Sequence, residues 1–285
     1  MKRFLLSIAA LGLGIPAAHA DILPPNNLNL EDSLFGFAEG GITQEQFDKT
    51  IDYILTKYQP IAAKHNATFV VNRLWDDPTV NAGASRDGNQ WQLWMFGGLA
   101  RRPEVNPDAF SIVMCHEIGH LVAGFPHYFM TDISVEGEAD YFATMSCVDL
   151  IWGEQLEENA KARADVTPEI QADCDKVYTD EANQNLCYRT MKASLALGDL
   201  MAYLQSQRDG VDVAVNTATP DISEVEATFE GHPKAQCRLD TYVAGALCNK
   251  PYHTDIIPTQ ADHVQYHCAI ERQELHVRPR CWFKP

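Results

Sequence analysis

From residue 43 onward, Phe47, Ile51, Ile54 and Tyr58 fall on one stripe among polar neighbours. Apolar residues at that spacing predict an amphipathic helix over 43–63. Thr43 and Gln46 form a capping box at its start, where first-turn N–H groups need acceptors. The pattern then turns strand-like in "ATFVVNRLW" (67–75), which Asp76-Asp77-Pro78 punctuates. "TVNAGASR" and "QWQLWMF" flank Asp87-Gly88-Asn89 and predict a tight hairpin that Gly97-Gly98 ends. Asn106 followed by Pro107 predicts the start of a second helix, running to near Gly124. This one is apolar on most sides, through Phe110, Ile112, Val113, Met114, Ile118, Leu121 and Val122, which marks it as buried. A further helix is expected from Ser134 through "VEGEADYFATMSCVDLIW". Residues 154–208 read as mostly helical, with breaks near Thr167-Pro168 and between Cys174 and Cys187. Residues 209–231 read as a loop, "CRLDTYVAGAL" as a short helix, and residues 251–285 as irregular.

The first twenty residues depart from this patterning. "MKRFLLSIAALGLGIPAAHA" has a basic start at Lys2 and Arg3, an apolar run and the A-x-A signal Ala18-His19-Ala20. This predicts a signal peptide over 1–20 and an exported protein, periplasmic or secreted, whose mature chain, 21–285, forms a single domain. Asp21 rather than Cys follows the expected cut, so no lipid anchor is expected there. No later apolar run reaches the roughly 18 residues of a membrane span, so no transmembrane span is expected. The 22 Lys and Arg face 39 Asp and Glu, a formal charge of −17 that becomes −19 when Lys2 and Arg3 are removed. Such a balance argues against nucleic acid and anionic lipid as main partners. The eight cysteines form no C-x-x-C pair, and an even count in an exported chain points to disulfides rather than a cysteine-built metal site.

One question stands out. His116, Glu117 and His120 lie inside the otherwise apolar helix "FSIVMCHEIGHLVAGF", and burying ionisable groups is costly unless they share a partner. Residues four apart lie on one helix face, so the two imidazoles can hold one metal ion, with Glu117 beside it. This H-E-x-x-H arrangement is that of zinc metallopeptidases. A surface helix with incidental polar residues fits the apolar surroundings badly. A catalytic zinc needs a third protein ligand. The extended H-E-x-x-H-x-x-G-x-x-H pattern fails, because Ala123 and Pro126 stand where Gly and His are required, while Gly124 and His127 come one place late. In "SVEGEADYFA" a helical turn of about 100° per residue puts Glu136 and Asp140 on one face and points Glu138 away. Glu136 is then the third ligand, and Asp140 can orient a ligand histidine through its free ring nitrogen. One zinc ion per chain is expected. Cys115 next to His116 and Cys147 beyond Asp140 are expected to bridge the two ligand helices, and Cys174–Cys187 to close a local loop. A Cys237–Cys248 bridge is unfavourable, since eleven helical residues span about 16 Å, beyond disulfide reach. The last four cysteines are expected to cross-pair, for example Cys237 with Cys281 and Cys248 with Cys268.

In these residues the chain resembles the gluzincin peptidases that include HtpX, the periplasmic BepA-type proteases and the CAAX prenyl endopeptidases. "DPTVNAGASRDGNQWQLWMFGGLARRP" is similar to the family's segment before its active helix. "EGEADYFA" is similar to its ligand helix, and "GHPKAQCRL" to its late His-Pro element followed by an arginine. The gap from His120 to Glu136 is short for the family, and neither eight cysteines nor the "RPRCWFKP" tail is a general feature of it. The resemblance implies an α+β, zincin-like fold, a small sheet packed on two ligand helices, and a zinc endopeptidase acting on polypeptide substrates. It also places His232 near the metal, as a donor to the developing oxyanion. The "QWQLWMF" strand can be read as an edge that binds extended substrate or as a core strand with buried aromatics. Two other functional readings stay open. One is a proteolytically silent zinc protein that binds unfolded or envelope proteins. The other is a latent protease whose zinc is closed off by His232 or by a tail histidine, His263, His267 or His276.

Overall fold

The computed structural model describes residues 19–30, 41–252, 256, 259, 261–262, 266–268 and 276–285. In chain order the elements are β1 (His19–Asp21), α1 (Gln44–Lys64), β2 (Thr68–Leu74), β3 (Ala82–Asp87), β4 (Gln90–Phe96), α2 (Gly97–Ala100), α3 (Pro107–Val122) and α4 (Glu136–Phe142). After a π turn over Ala143–Cys147 come α5 (Val148–Trp152), α6 (Leu156–Lys161), α7 (Pro168–Val177), α8 (Glu181–Asp209) and α9 (Ala235–Ala246). The architecture is α+β. The sheet is mixed, in the order β1-β3-β4-β2, with β1/β3 and β3/β4 antiparallel and β2/β4 parallel.

Local sequence explains most element ends. Thr43 and Gln46 make both bonds of the capping box on α1, whose buried face is Phe47, Ile51, Ile54, Tyr58, Ile61 and Ala62. Asn106 accepts from the Ala109 N–H and Pro107 fills the first turn of α3. Thr167 and Asp180 cap α7 and α8 in the same way. Gly210, in the left-handed region at φ 69°, ends α8, a backbone angle most side chains resist.

One expectation needs correction, and one open reading is settled. Helix α4 begins at Glu136, not Ser134, because the Ser134 hydroxyl is spent on the turn before it. That hydroxyl donates to the Gly124 carbonyl (2.7 Å) and accepts from the Gly124 N–H (2.9 Å). The "QWQLWMF" strand, β4, is not an edge. It is paired on both sides, by β2 and β3, so its backbone is not open to an added strand, and Trp91, Leu93 and Met95 are buried. The edges are β1 and β2.

Helix α3 lies between layers. It packs on β3 on one side and on α1, α4 and α8 on the others. Every residue from Ala109 to Val122 is buried, as an all-round apolar helix requires. Gly119 lets α4 come close, since a Cβ there would sit 3.0 Å from the Ala139 Cα. Four disulfides lock this arrangement: Cys115–Cys147, Cys174–Cys187, Cys237–Cys281 and Cys248–Cys268, with Cα separations of 5.7, 5.9, 6.0 and 5.7 Å. The first two are the pairings expected and the last two are the cross-pairing given as an example, and the bridges leave no cysteine free. No helix among the described residues is long and apolar enough to cross a membrane, which with four disulfides is compatible with an exported protein. Of the expected leader, residues 1–18 lie outside the described residues, while His19 and Ala20 form the start of β1.

Candidate metal centre

Helical phase brings three of the expected residues together. His116 and His120, one turn apart on α3, face Glu136 at the first position of α4. The two Nε2 atoms are 3.0 Å apart. Glu136 Oε2 lies 3.4 Å from His116 Nε2, and Oε1 lies 3.6 Å from His120 Nε2. One ligand atom from each of the three falls within 4.8 Å of the others, and all three side chains are fully buried. A second grouping, Asp221 with Cys237 and Cys281, offers no thiolates because its two cysteines are bonded to each other.

The outer ring nitrogens decide what the inner ones can do. His120 Nδ1 donates to the Ser134 carbonyl at 2.7 Å, and His116 Nδ1 lies 2.7 Å from Asp140 Oδ1. Protons held on both Nδ1 atoms leave two Nε2 lone pairs aimed at one point, an arrangement that calls for a shared cation. Asp140 is fixed in turn by Arg238, whose Nε and Nη2 donate to its two oxygens at 2.7 Å each. Tyr128 Oη donates to Glu136 Oε1 at 2.8 Å.

Glu117 is the telling residue. It is fully buried, and neither carboxylate oxygen has a hydrogen-bond partner among the described residues. A buried carboxylate without a partner costs several kcal/mol. The residues therefore fit a metal ion with water beside it, because those would satisfy the Nε2 lone pairs, Glu136 Oε2 and Glu117 together. Glu138 points elsewhere, as its phase predicts. It pairs with Arg278 at 3.1 Å and His267 at 3.6 Å.

Electrostatics follow the same geometry. Burial disfavours charge on His116, but Asp140 and Glu136 outweigh it and hold its pKa up at about 9, so without a cation its Nε2 keeps a proton that a bound metal ion would displace. Burial pulls His120 down to about 4, only partly opposed by Glu136. Burial pushes Glu117 well above the usual carboxylate range. Burial also works against ionised Glu136, but His120, His116 and His232 hold it below that range.

His232 is brought to the site as expected. Its Nε2 lies 3.6 Å from Glu136 Oε2 and 2.7 Å from the main-chain oxygen of Asp21. His127 pairs with Ser134 as an isolated bridge. Of the tail histidines, His267 sits with Glu138 and not with the trio, His276 offers its carbonyl to Tyr141, and His263 lies outside the described residues. Sequence reasoning gave no role to Tyr128, Arg238 or Asp21. The arginine that follows the His-Pro element, Arg238, was a usable signal; Tyr128, in a loop eight positions before Glu136, left none.

No protein-family model, no curated protein and no solved structure matches this chain. The resemblance to gluzincin peptidases rests on the residues themselves.

Proposed function

We propose that the protein is a zinc-dependent endopeptidase with a zincin-like fold of the gluzincin type, exported from the cell. The observation that carries this reading is Glu117, a buried carboxylate with no hydrogen-bond partner among the described residues, beside two histidines that point their lone pairs at a common centre. A purely structural metal site has no need of such a group. His116, His120 and Glu136 would hold the ion. When bound, zinc polarises a carbonyl and lowers the pKa of water.

The chain's own residues supply the rest. Glu117 takes the proton of the attacking water and passes it to the leaving amine nitrogen. His232 donates to the carbonyl oxygen as negative charge develops there. Its contact with the Asp21 carbonyl supports that role, because the same Nε2 is within reach of both a peptide oxygen and the trio. Asp140, backed by Arg238, holds the His116 ring, and Tyr128 holds Glu136.

The test is cleavage of casein by the purified disulfide-bonded protein, with and without chelator, beside Glu117→Gln, with zinc measured on each preparation. We expect about one zinc per chain, loss of cleavage on chelation, and a fall of at least roughly 100-fold in kcat for Glu117→Gln at unchanged zinc content. Full zinc occupancy with no cleavage of casein or of a peptide library would replace this reading with that of a silent zinc protein.

A further inference from the structure

Arg238 faces a cavity as well as Asp140. The cavity, about 220 Å³, lies between the segment after β1, the end of α8 and the start of α9. Leu23, Leu28, Met201 and Leu204 line it together with three prolines, so most of its wall is apolar. Its charged lining is two arginines, Arg208 and Arg238, with no aspartate or glutamate among the described residues that form it. In a chain with 39 acidic residues against 22 basic ones, this is a local reversal of sign.

The fixed polar groups around it have donors to spare and few acceptors. Asn26 is spent: its Nδ2 donates to the Pro24 and Val80 carbonyls, and its Oδ1 accepts from the Leu28 N–H. Gln205 Oε1 accepts from the Ala235 N–H at 2.9 Å, which leaves the donating end of that amide. Arg208 holds Asp209 through Nε and Nη2, at 2.8 and 3.3 Å, and keeps Nη1. Arg238 gives one N–H from each of its three nitrogens, two to Asp140 and one to the Ile22 carbonyl, and a guanidinium carries five. The remaining amides, Asn27 and Gln207, are exposed and can turn either end. An apolar body with an anionic, acceptor-only end matches both halves of this lining.

We propose that this cavity binds small apolar carboxylates, a short hydrocarbon or aryl body with one carboxylate, and that occupancy strengthens metal binding at the trio. The proposal goes beyond the endopeptidase reading and does not depend on cleavage. Arg238 carries the coupling. Its Nη2 lies 3.7 Å from Glu136 Oε2, so its positive charge competes with a metal ion for that oxygen. An anion beside the guanidinium offsets that charge and weakens the competition. Asp140 meanwhile stays 2.7 Å from His116 Nδ1, so the ring remains held. Coupling between binding sites is reciprocal, so the metal tightens the carboxylate by the same factor.

The test is NMR titration of the disulfide-bonded protein with 3-phenylpropionate and, separately, with its neutral amide, each with and without added zinc. The probes are the Met201 methyl group, on the cavity wall, and the Arg238 Nε–H. Arg208→Gln is titrated beside the parent; Arg208 is exposed, so the change leaves the core intact. We expect the two signals to move together and saturate with the acid. The amide should bind at least roughly tenfold more weakly, and the acid at least roughly threefold more weakly to Arg208→Gln. Zinc should tighten the acid at least roughly threefold in the parent. No movement at Met201, equal affinity for acid and amide, or the same affinity with and without zinc overturns the proposal. Ring shifts at His116 and His120 with none at Met201 place the carboxylate on the metal and overturn it as well. Casein cleavage by the same preparation is scored separately and decides only the endopeptidase reading.

Discussion

Replacing Arg238 with methionine should be costly, and the structure sets the scale. The guanidinium is 1% exposed and makes two 2.7 Å bonds to Asp140 and a third to the Ile22 carbonyl, with Glu136 Oε2 3.7 Å away. Methionine fills much of the same volume but leaves two buried carboxylates without their guanidinium. Removing one partner of a buried pair costs about 3–5 kcal/mol, because the other charge is stranded. For a chain of this size each kcal/mol lowers the melting temperature by about 2–4 °C, so a fall on the order of 10 °C is expected. The assay is calorimetric melting of disulfide-intact protein as a double-mutant cycle with Asp140→Asn. Asp140→Asn strands the cation instead, while the double variant strands neither member of the pair. The two single costs should therefore exceed the double by about 1–3 kcal/mol. A coupling below about 0.5 kcal/mol, or a melting point for Arg238→Met within about 2 °C of the parent, would refute the claim that this pair holds the ligand helix. The same cycle reports on the site. Without the Asp140 charge, the His116 titration at about 9 should move down toward the ordinary histidine range, followed by NMR in metal-free protein.

Two further outcomes are expected. Gly119→Val places methyl groups where even a Cβ is 3.0 Å from the α4 backbone, so it should destabilise by about 1–3 kcal/mol in urea unfolding and weaken zinc binding measured by competition with a chromophoric chelator, because Glu136 moves with α4. Asp240 is held up at about 6 by burial, against the bonds it accepts from Asp221 and Gln236, so the folded state favours its neutral form. Its contribution to stability is therefore greatest below the ordinary 3.8 and declines as pH rises to about 6; the melting temperature of the parent should fall relative to Asp240→Asn across that window, and a constant difference would contradict it.

The parts of the site that could be read in advance were those governed by helical phase. His116 and His120 at four-residue spacing, and Glu136 chosen over Glu138 by a 200° rotation, both depend only on the regularity of a helix. Helix length also excluded a Cys237–Cys248 bridge, while which cross-pairing the last four cysteines adopt was left open. What escaped was set by tertiary approach. That "QWQLWMF" is central depended on β2 pairing with it in parallel, which no local pattern encodes. The start of α4 depended on Ser134 finding Gly124 across a turn. Tyr128 reaches Glu136 from an irregular loop, and Arg238 meets Asp140 from 98 positions away. The last residues of the expected leader carried a cleavage signal and strand potential at once, and only the first was legible.

Gly137, on the ligand helix, has no room for a side chain because the Trp282 ring fills the space, and Arg278 meets Glu138 from 140 positions further along the chain. The backing of the candidate metal centre is thus made well after the residues it backs. A chain emerging amino end first would present His116, His120 and Glu136 long before Trp282 and the Cys237–Cys281 staple could brace them. Order of emergence then acts as a timer: the centre becomes rigid only once residues 276–283 have arrived, so a stalled or shortened chain would carry the motif without the braced site.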